Sequence, residues 1–337
     1  MPDNNRPNLE ALRAELNARI NTTGVMPNQW FGPAPVNTNP EVAIVARDTL
    51  QDTAEIARQV RRTPPKSSGS IREQYGLRIP EGIDKILKQH FGEVVMGVEL
   101  EVENFPQDIP AVAKGIDFTN DGSLRNNGIE AVTRPNTRPG TLNVVKEFWT
   151  KFKIENGKNF SDRTSIHVHA NVTHFNANQI QNLVFLYCLF EDILFDVVGE
   201  DRRDNIFCVP WSQTGLHMGN YHRIWTSAAG WQKYTALNLR PVASQGTVEF
   251  RHMYGHADFE LLSSWLLIIE EIMQAAETMD NEELYKRVLN MNTSSEYGDF
   301  LAQVFPQSAT FLTARSPDWR SHMIRGVIEA KLSSVNL

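Results

Sequence analysis

Residues 94–103 read VVMGVELEVE and alternate strictly between apolar side chains and a second set that includes three glutamates. This period of two is that of a β-strand with one buried face. Val98 and Leu100 belong to the apolar face. Glu99 and Glu101 belong to the other face. The pattern therefore predicts a strand that is buried on one side and carries paired carboxylates on the other.

Three more segments place polar side chains on one face in the same way. The polar residues on these faces are His167 and His169 in 165–172, Glu249 and Arg251 in 247–253, and Glu130 and Arg134 in 129–134. Because the opposite faces are apolar, we expect them to pack against helices. The polar faces of the strands would then line a common surface or cleft.

The segments between these strands have the spacing of helices. Four helical stretches are predicted: 141–152, 178–198, the residues after Asp258, and the remainder from 281 to a last stretch at 319–332. Gly199 is suited to end the second stretch, and Asp258 is suited to cap the third. A further strand at 234–240 is predicted to pair with 247–253 through a turn that contains Gly246.

Composition excludes several classes of protein. The 337 residues are 41% hydrophobic and 22% charged, as in a globular protein, and the formal net charge of -7 offers no basic field for nucleic acid. The most apolar stretch, 183–198, contains acidic residues that a bilayer would disfavour. With two cysteines and a polar start, the chain is expected to be cytoplasmic, with no nucleic-acid or membrane partner.

Each polar pair also has an ordinary structural explanation. A Glu-x-Glu strand is commonly a solvent-facing surface strand, and a His-x-His pair is often structural. Glu249 and Arg251 could form a surface ion pair worth under about 1 kcal/mol. Their coincidence on several strands favours a functional site instead.

The side-chain types on these faces restrict the chemistry. Carboxylates with imidazoles suit a hard divalent cation such as Mg²⁺ or Mn²⁺, and arginine suits phosphate oxygens. Such a set is typical of phosphoryl transfer, where positioning and charge neutralisation dominate. The chain has no Gly-x-x-x-x-Gly-Lys loop, so a P-loop nucleotide site is excluded.

Six motifs, taken in order, resemble the amidoligase family. They are GVELEVE (97–103), NDGSL (120–124), GIEAVTRP (128–135), SIHVHANV (165–172), LNLRP (237–241) and TVEFRH (247–252). The family comprises carboxylate–amine ligases with a glutamine synthetase-like catalytic fold, and it includes bacteriophage-encoded members. The resemblance covers roughly residues 93–280.

The resemblance implies an α+β fold, with a mostly antiparallel curved sheet and helices on its apolar face. It implies ATP and Mg²⁺ (or Mn²⁺) as cofactors, and a carboxylate and an amine as substrates, either small molecules or groups on a peptide or protein. ATP would phosphorylate the carboxylate, and the amine would attack the acyl phosphate to form an amide or isopeptide bond.

The resemblance also assigns roles to individual residues. It implies Glu99, Glu101, His167 and Glu249 as metal ligands, His169 and Arg251 at the nucleotide phosphates, Glu130 and Arg251 as catalytic groups, and Asn238, Arg240 and Asp121 at the substrate. Arg251 would stabilise the transferred phosphoryl group, and Glu130 would serve the metal or the amine. Asp121 also fits an ordinary turn, because Asn-Asp-Gly is a turn signal.

Three regions are expected along the chain. Residues 1–90 form a partly helical, proline-rich N-terminal region that matches no family motif. Residues 91–280 form the catalytic domain, and 281–337 form a helical extension packed on it. A homo-oligomer is compatible with the resemblance, and the host cytoplasm is the expected location if the protein is phage-encoded.

Two other functions remain open from the sequence. One is a non-catalytic structural protein, associated with a virion, that retains the ligase fold. The other is a metal-dependent hydrolase that uses His167 and His169 on zinc. Affinity for Mg-ATP separates the ligase from the hydrolase, and turnover separates it from the structural protein.

Overall fold

A computed structural model defines residues 69–105, 115–199, 202–214 and 233–334. Residues 1–68, most of the predicted N-terminal region, lie outside the described residues. The strands are β1 (Val95–Val102), β2 (Ile116–Thr119), β3 (Ile129–Thr133), β4 (Asn136–Thr137), β5 (Ser165–Asn171), β6 (Leu237–Asn238) and β7 (Thr247–Tyr254). The helices are α1 (Ile71–Tyr75), α2 (Glu81–Gln89), α3 (Arg138–Phe152), α4 (Ala177–Val198), α5 (Phe259–Thr278), α6 (Asn281–Leu289), α7 (Ser294–Val304), α8 (Ala309–Arg315) and α9 (Trp319–Ser334).

The strands form one seven-stranded sheet in the order β2-β3-β1-β5-β7-β6, and β4 pairs with β1. Each of these pairs is antiparallel. Helices contact the sheet at several strands: α3 at β1, α4 at β7 and α5 at β5. The predicted α+β fold, with a mostly antiparallel sheet and packed helices, is therefore confirmed.

The central strands bury one face each, as their alternation predicts. On β1, Met96, Val98 and Leu100 are at most 1% exposed, and Ile166 and Val168 on β5 are fully buried. These faces join one hydrophobic core with α4, a helix that is buried on nearly all sides. The residues between them on each strand therefore face away from the core.

The two long helices of the core begin and end close to where the sequence indicates. The side chain of Asn176 caps α4 in a capping box with Gln179, and Gly199 is its C-cap. The side chain of Asp258 accepts a hydrogen bond of 3.0 Å from Leu261 N at the start of α5. Local sequence signals thus fix these helix ends.

The strand predicted at 234–240 is wrong in its extent. Only Leu237–Asn238 pairs with β7, and Arg240–Ala243 forms a 3₁₀ helix. Pro241 has no N–H to donate to a strand ladder, so pairing ends before it. β2 is not predicted by the sequence, because four residues are too few for an alternation to stand out.

An irregularity interrupts the pairing of β5 with β7. Ile166 is paired with Met253 and Val168 with Phe250, so two residues of β7 lie opposite His167 alone. Those two residues are Arg251 and His252, and such a two-for-one pairing is a β-bulge. His252 is fully buried against the rings of α4 and α5, whereas Arg251 lies on the polar face with Glu249.

The C-terminal helices α6 to α9 agree with the helical pattern predicted from residue 281. They contact the helix layer, where Tyr297 Oη donates a hydrogen bond of 3.1 Å to Leu189 O. The domain divisions near residues 90 and 280 stay predictions. Among the described helices, none is both long enough and apolar enough to cross a bilayer.

His256 makes stability depend on pH. It is 2% exposed, accepts a hydrogen bond of 2.9 Å from Asp258 N through Nδ1, and burial lowers its pKa to about 4. An unfolded histidine binds its proton near pH 6.5, so stability should be lost as the pH falls from about 6.5 to about 4.

The variant His256→Asn keeps an acceptor for Asp258 N but cannot ionise. From pH 7 to pH 4.5 it should lose about 2 kcal/mol less stability than the native protein in urea unfolding. Equal losses would contradict this assignment.

Candidate active site

Strand register brings the polar residues of four strands together on one face. Glu99 on β1 lies opposite His167 on β5, and Glu101 lies opposite Glu130 on β3. His169 in turn lies opposite Glu249 on β7. Because directly opposed residues have neighbouring side chains, residues up to 150 positions apart in the chain form one cluster.

One group of metal-capable side chains is centred on His169. Glu99, His169 and Glu249 each offer a ligand atom within 4.8 Å of the others. His169 Nε2 is 3.0 Å from Glu99 Oε1 and 4.0 Å from Glu249 Oε1. Its Nδ1 is 3.0 Å from Thr247 Oγ1, a contact that orients the ring.

His167 lies among three carboxylates. Its Nδ1 is 3.3 Å from Glu99 Oε2, 3.5 Å from Glu249 Oε1 and 3.8 Å from Glu101 Oε1. The residue is 3% exposed, and its Nε2 is buried without a hydrogen-bond partner in the described part of the chain. Since buried polar atoms are normally paired, this ring nitrogen is suited to an additional ligand.

A second group consists of carboxylates alone. Glu101, Asp121 and Glu130 offer ligand atoms within 4.8 Å of one another. Asp121 Oδ1 also accepts a hydrogen bond of 2.7 Å from Ser123 N, and Thr119 Oγ1 donates to Glu130 Oε1 at 3.0 Å. Asp121 thus has both the turn role expected of Asn-Asp-Gly and a position beside two glutamates.

Arg251 is a buried cation at the edge of the cluster. Its Nη1 donates to Glu249 Oε1, and its Nε donates to Phe207 O at 3.2 Å. The guanidinium also lies 5.6 Å from the centre of the Tyr234 ring. Because it bonds both the carboxylate of Glu249 and the carbonyl of Phe207, the guanidinium has a fixed orientation beside the carboxylate cluster.

Asn238 and Arg240 lie behind Glu249 on the side of β6. Asn238 Nδ2 donates to Glu249 Oε2 at 2.6 Å, and Arg240 N donates to Asn238 Oδ1 at 3.0 Å. Both residues are buried. The structure therefore places Asn238 against a candidate metal ligand, and its predicted contact with substrate stays a prediction.

The carboxylates of the cluster divide into two electrostatic classes. Burial raises the pKa of Glu99 and of Glu249, but the histidines beside Glu99 and the guanidinium of Arg251 beside Glu249 outweigh burial, so both pKa values lie below the usual range. Burial raises the pKa of Glu101, and burial with the charge of Glu99 raises the pKa of Glu130 to about 7. In the second group, nearby positive charge does not outweigh the effect of burial on these two pKa values.

This donor set fits a hard divalent cation. Most of the ligand atoms are carboxylate oxygens, which Mg²⁺ and Mn²⁺ prefer, and imidazole nitrogen is acceptable to Mn²⁺. The buried, unpartnered Nε2 of His167 and the crowding of acidic groups point the same way. Glu99, His169 and Glu249 would hold one ion, and Glu101, Asp121 and Glu130 form a second acidic group that suits either a cation or an ammonium group.

Mn²⁺ should therefore stabilise the metal-free protein. A ligand that binds only the folded state adds roughly 2.7 kcal/mol at a hundred times its dissociation constant. After treatment with a chelator, calorimetry should show a melting temperature that rises with Mn²⁺ concentration. Sodium chloride at equal ionic strength is the control, and an equal rise with both salts would contradict a specific site.

The site contains contacts that the sequence alone does not indicate. Thr247 shares the polar face of β7 with Glu249, so its place near His169 follows from the period of two once β5 and β7 are known to be neighbours. Thr119 lies on the unpredicted strand β2. Arg134 was expected on the polar face but lies outside the cluster, in an exposed ion pair of 3.5 Å with Asp117.

Comparison with known proteins bears on this region. Residues 107–273 match a family model described as "Putative amidoligase enzyme", a range that begins after β1 and so leaves out Glu99 and Glu101. Among solved structures, a bifunctional glutathione synthetase from Pasteurella multocida is 12% identical with a TM-score of 0.39, over 77% of this chain and 53% of that one. This chain thus spans about half the length of that protein. No curated protein matches the sequence. The family match confirms the resemblance predicted from the motifs over residues 107–273.

Proposed function

We propose that the protein is an ATP-dependent carboxylate–amine ligase. It forms an amide or isopeptide bond through an acyl phosphate, with Mg²⁺ or Mn²⁺ bound by clustered glutamates and histidines. The family match of residues 107–273 supports a ligase. The observation that carries the proposal is the convergence of two groups of metal-capable side chains and a buried arginine on one face of the sheet.

The first group serves the nucleotide. Divalent cations, when bound, neutralise charge on phosphate oxygens and so favour phosphoryl transfer. Glu99, His169 and Glu249 hold the cation between the strands that the sheet fixes in register. Thr247 and Asn238 hold the ring of His169 and the carboxylate of Glu249 in place, as outer contacts do in metal sites.

Arg251 serves the transferred phosphoryl group. A guanidinium has five N–H donors in a planar fork that matches phosphate oxygens. Two of its nitrogens, Nε and Nη1, are engaged by Phe207 O and Glu249, which fixes the plane of the fork. Its Nη2 is then aimed by these two contacts, and donors that need no reorganisation stabilise the charge that develops during transfer.

The second group serves the amine half of the reaction. Within this group, Glu130 is half-buried, whereas Glu101 is buried. A carboxylate in that position can bind an ammonium group and accept its proton as the amine attacks the acyl phosphate. Asp121, in the turn before β3, is the third carboxylate of this group.

Release of ADP tests the proposal directly. The full-length protein, loaded with Mg²⁺ and ATP, is supplied with pooled carboxylates and with hydroxylamine, which replaces the unidentified amine and converts an acyl phosphate into a hydroxamate. We expect ADP release and hydroxamate formation that both require a carboxylate. Metal binding without any affinity for Mg-ATP would favour the hydrolase, and nucleotide binding without turnover would favour the non-catalytic protein.

A further inference from the structure

The bulge of β7 determines where Arg251 points. Arg251 and His252 share the place opposite His167, so the backbone between them departs from the regular ladder. In an unbroken strand the carbonyls of both residues would be bound by the neighbouring strands. A bulge leaves such groups to find other partners, and it bends the strand that carries the side chain.

Arg202 supplies those partners. Its Nε donates to His252 O at 2.7 Å, and its Nη2 donates to Arg251 O at 2.9 Å and to Ser165 Oγ on β5 at 3.3 Å. The residue is 3% exposed. A buried charge is unfavourable unless it is hydrogen-bonded, and these three hydrogen bonds offset part of that cost.

The segment that carries Arg202 also contacts the side chain of Arg251. Phe207 O accepts the hydrogen bond from Arg251 Nε, and Phe207 N in turn donates to Asn205 Oδ1 at 2.8 Å. The bulge is held from the helix layer as well, where Tyr187 Oη is 3.1 Å from His252 Nε2. Backbone and side chain at Arg251 are thus bound by one short loop.

We propose that Arg202 is a positioning residue, which binds both carbonyls of the β7 bulge and thereby aims the guanidinium of Arg251 at the carboxylate cluster. The inference rests on the proposed function, in which Arg251 binds the transferred phosphoryl group. The hydrogen bonds of Arg202 go to backbone carbonyls and to Ser165, not to the carboxylates or imidazoles of the cluster. Lysine has all its donors on one nitrogen, whereas Arg202 reaches the two carbonyls from two separate nitrogens, so lysine does not reproduce this geometry.

A double-mutant cycle on turnover tests this role. In ADP release, Arg202→Met should lower kcat roughly 10²-fold with little change in KM for Mg-ATP, because a small misplacement of a catalytic group has about that effect. Arg202→Met with Arg251→Met should be no slower than Arg251→Met alone, since Arg202 acts through Arg251. Losses that multiply in the double variant would overturn the proposal.

Arg203→Met is the matched control. Arg203 is the next residue of the same loop, but its hydrogen bonds go to Asp192 and Asp196 on α4 and not to the carbonyls of the bulge. Its loss should leave kcat near the native value. An equal fall in kcat for both variants would show that the loop as a whole is needed and would overturn the specific role of Arg202.

Hydrogen exchange supplies a readout that needs no substrate. Amides of 247–254 should exchange faster in Arg202→Met than in the native protein, while amides of 95–102 on β1 should not change. If Arg202→Met does not fold, Arg202→Lys is used with the same expectation. Unchanged exchange in 247–254 would overturn the proposal.

The two proposals can fail separately. If the native protein releases no ADP while exchange changes as expected, the proposed function fails and the structural role of Arg202 stands.

Discussion

Replacing Glu99 with glutamine should lower Mg-ATP-dependent turnover by about 10³-fold and Mn²⁺ affinity by at least about 10²-fold. Glutamine has the shape of glutamate but no charge, so the sheet should keep its register. The carboxylate of Glu99 is 3.0 Å from His169 and 3.3 Å from His167, which makes it the residue that joins both histidines to the cluster. Calorimetric titration with Mn²⁺ and an ADP-release assay measure the two effects.

Glu282→Gln is the control for this change. Glu282 is exposed on α6, and its carboxylate pairs with Lys286 at 3.1 Å. Turnover and Mn²⁺ affinity should remain at their native values in this variant. Equal turnover in Glu99→Gln and the native protein would remove Glu99 from the proposed metal site.

Replacing Arg251 with methionine should separate phosphoryl transfer from metal binding. Loss of a preorganised donor to the reacting group lowers turnover by about 10²- to 10³-fold. Mn²⁺ should bind at least as tightly as before, because Glu249 loses the positive charge that competes with the ion. In the metal-free protein, Glu249 would remain buried without its partner, which destabilises folding by about 3–5 kcal/mol. Mn²⁺ should restore part of that stability.

Arg134→Met is the matched control for the arginine. Its pair with Asp117 is exposed on both sides, and such pairs contribute about 1 kcal/mol or less. Thermal unfolding with and without Mn²⁺, together with ADP release, compares the two variants. If Arg251→Met loses Mn²⁺ affinity in proportion to its loss of turnover, Arg251 acts through the metal ligands and not on phosphate.

The sequence predicts the strands of the site well, because each has one buried face. The period of two places Glu99 and Glu101 on one side of β1, and His167 and His169 on one side of β5. Alternation carries no information on which strands are neighbours or in what register they pair. Whether His169 would lie opposite Glu249 or several residues away therefore depended on the structure.

Features that depend on irregular backbone are not predictable in this way. The bulge opposite His167 is a departure from alternation, and Arg202 lies in a loop without any period. Asp121 is part of an Asn-Asp-Gly turn signal that is common in proteins, so the turn pattern does not predict that its carboxylate lies beside Glu101. Physical patterns identify regular elements, whereas tertiary packing determines how loops complete a site.

The order of strands in the sheet has a consequence for how the protein is made. The central neighbours β1, β5 and β7 are drawn from residues 95–102, 165–171 and 247–254, so their contacts span long separations in the chain. Such non-local pairing folds slowly, because long loops must close before the contacts form. On the ribosome, a nascent chain that has not yet reached Tyr254 lacks a complete β7 and cannot assemble the proposed cation site. The proposed ligase activity would therefore appear only after the last of these strands has emerged.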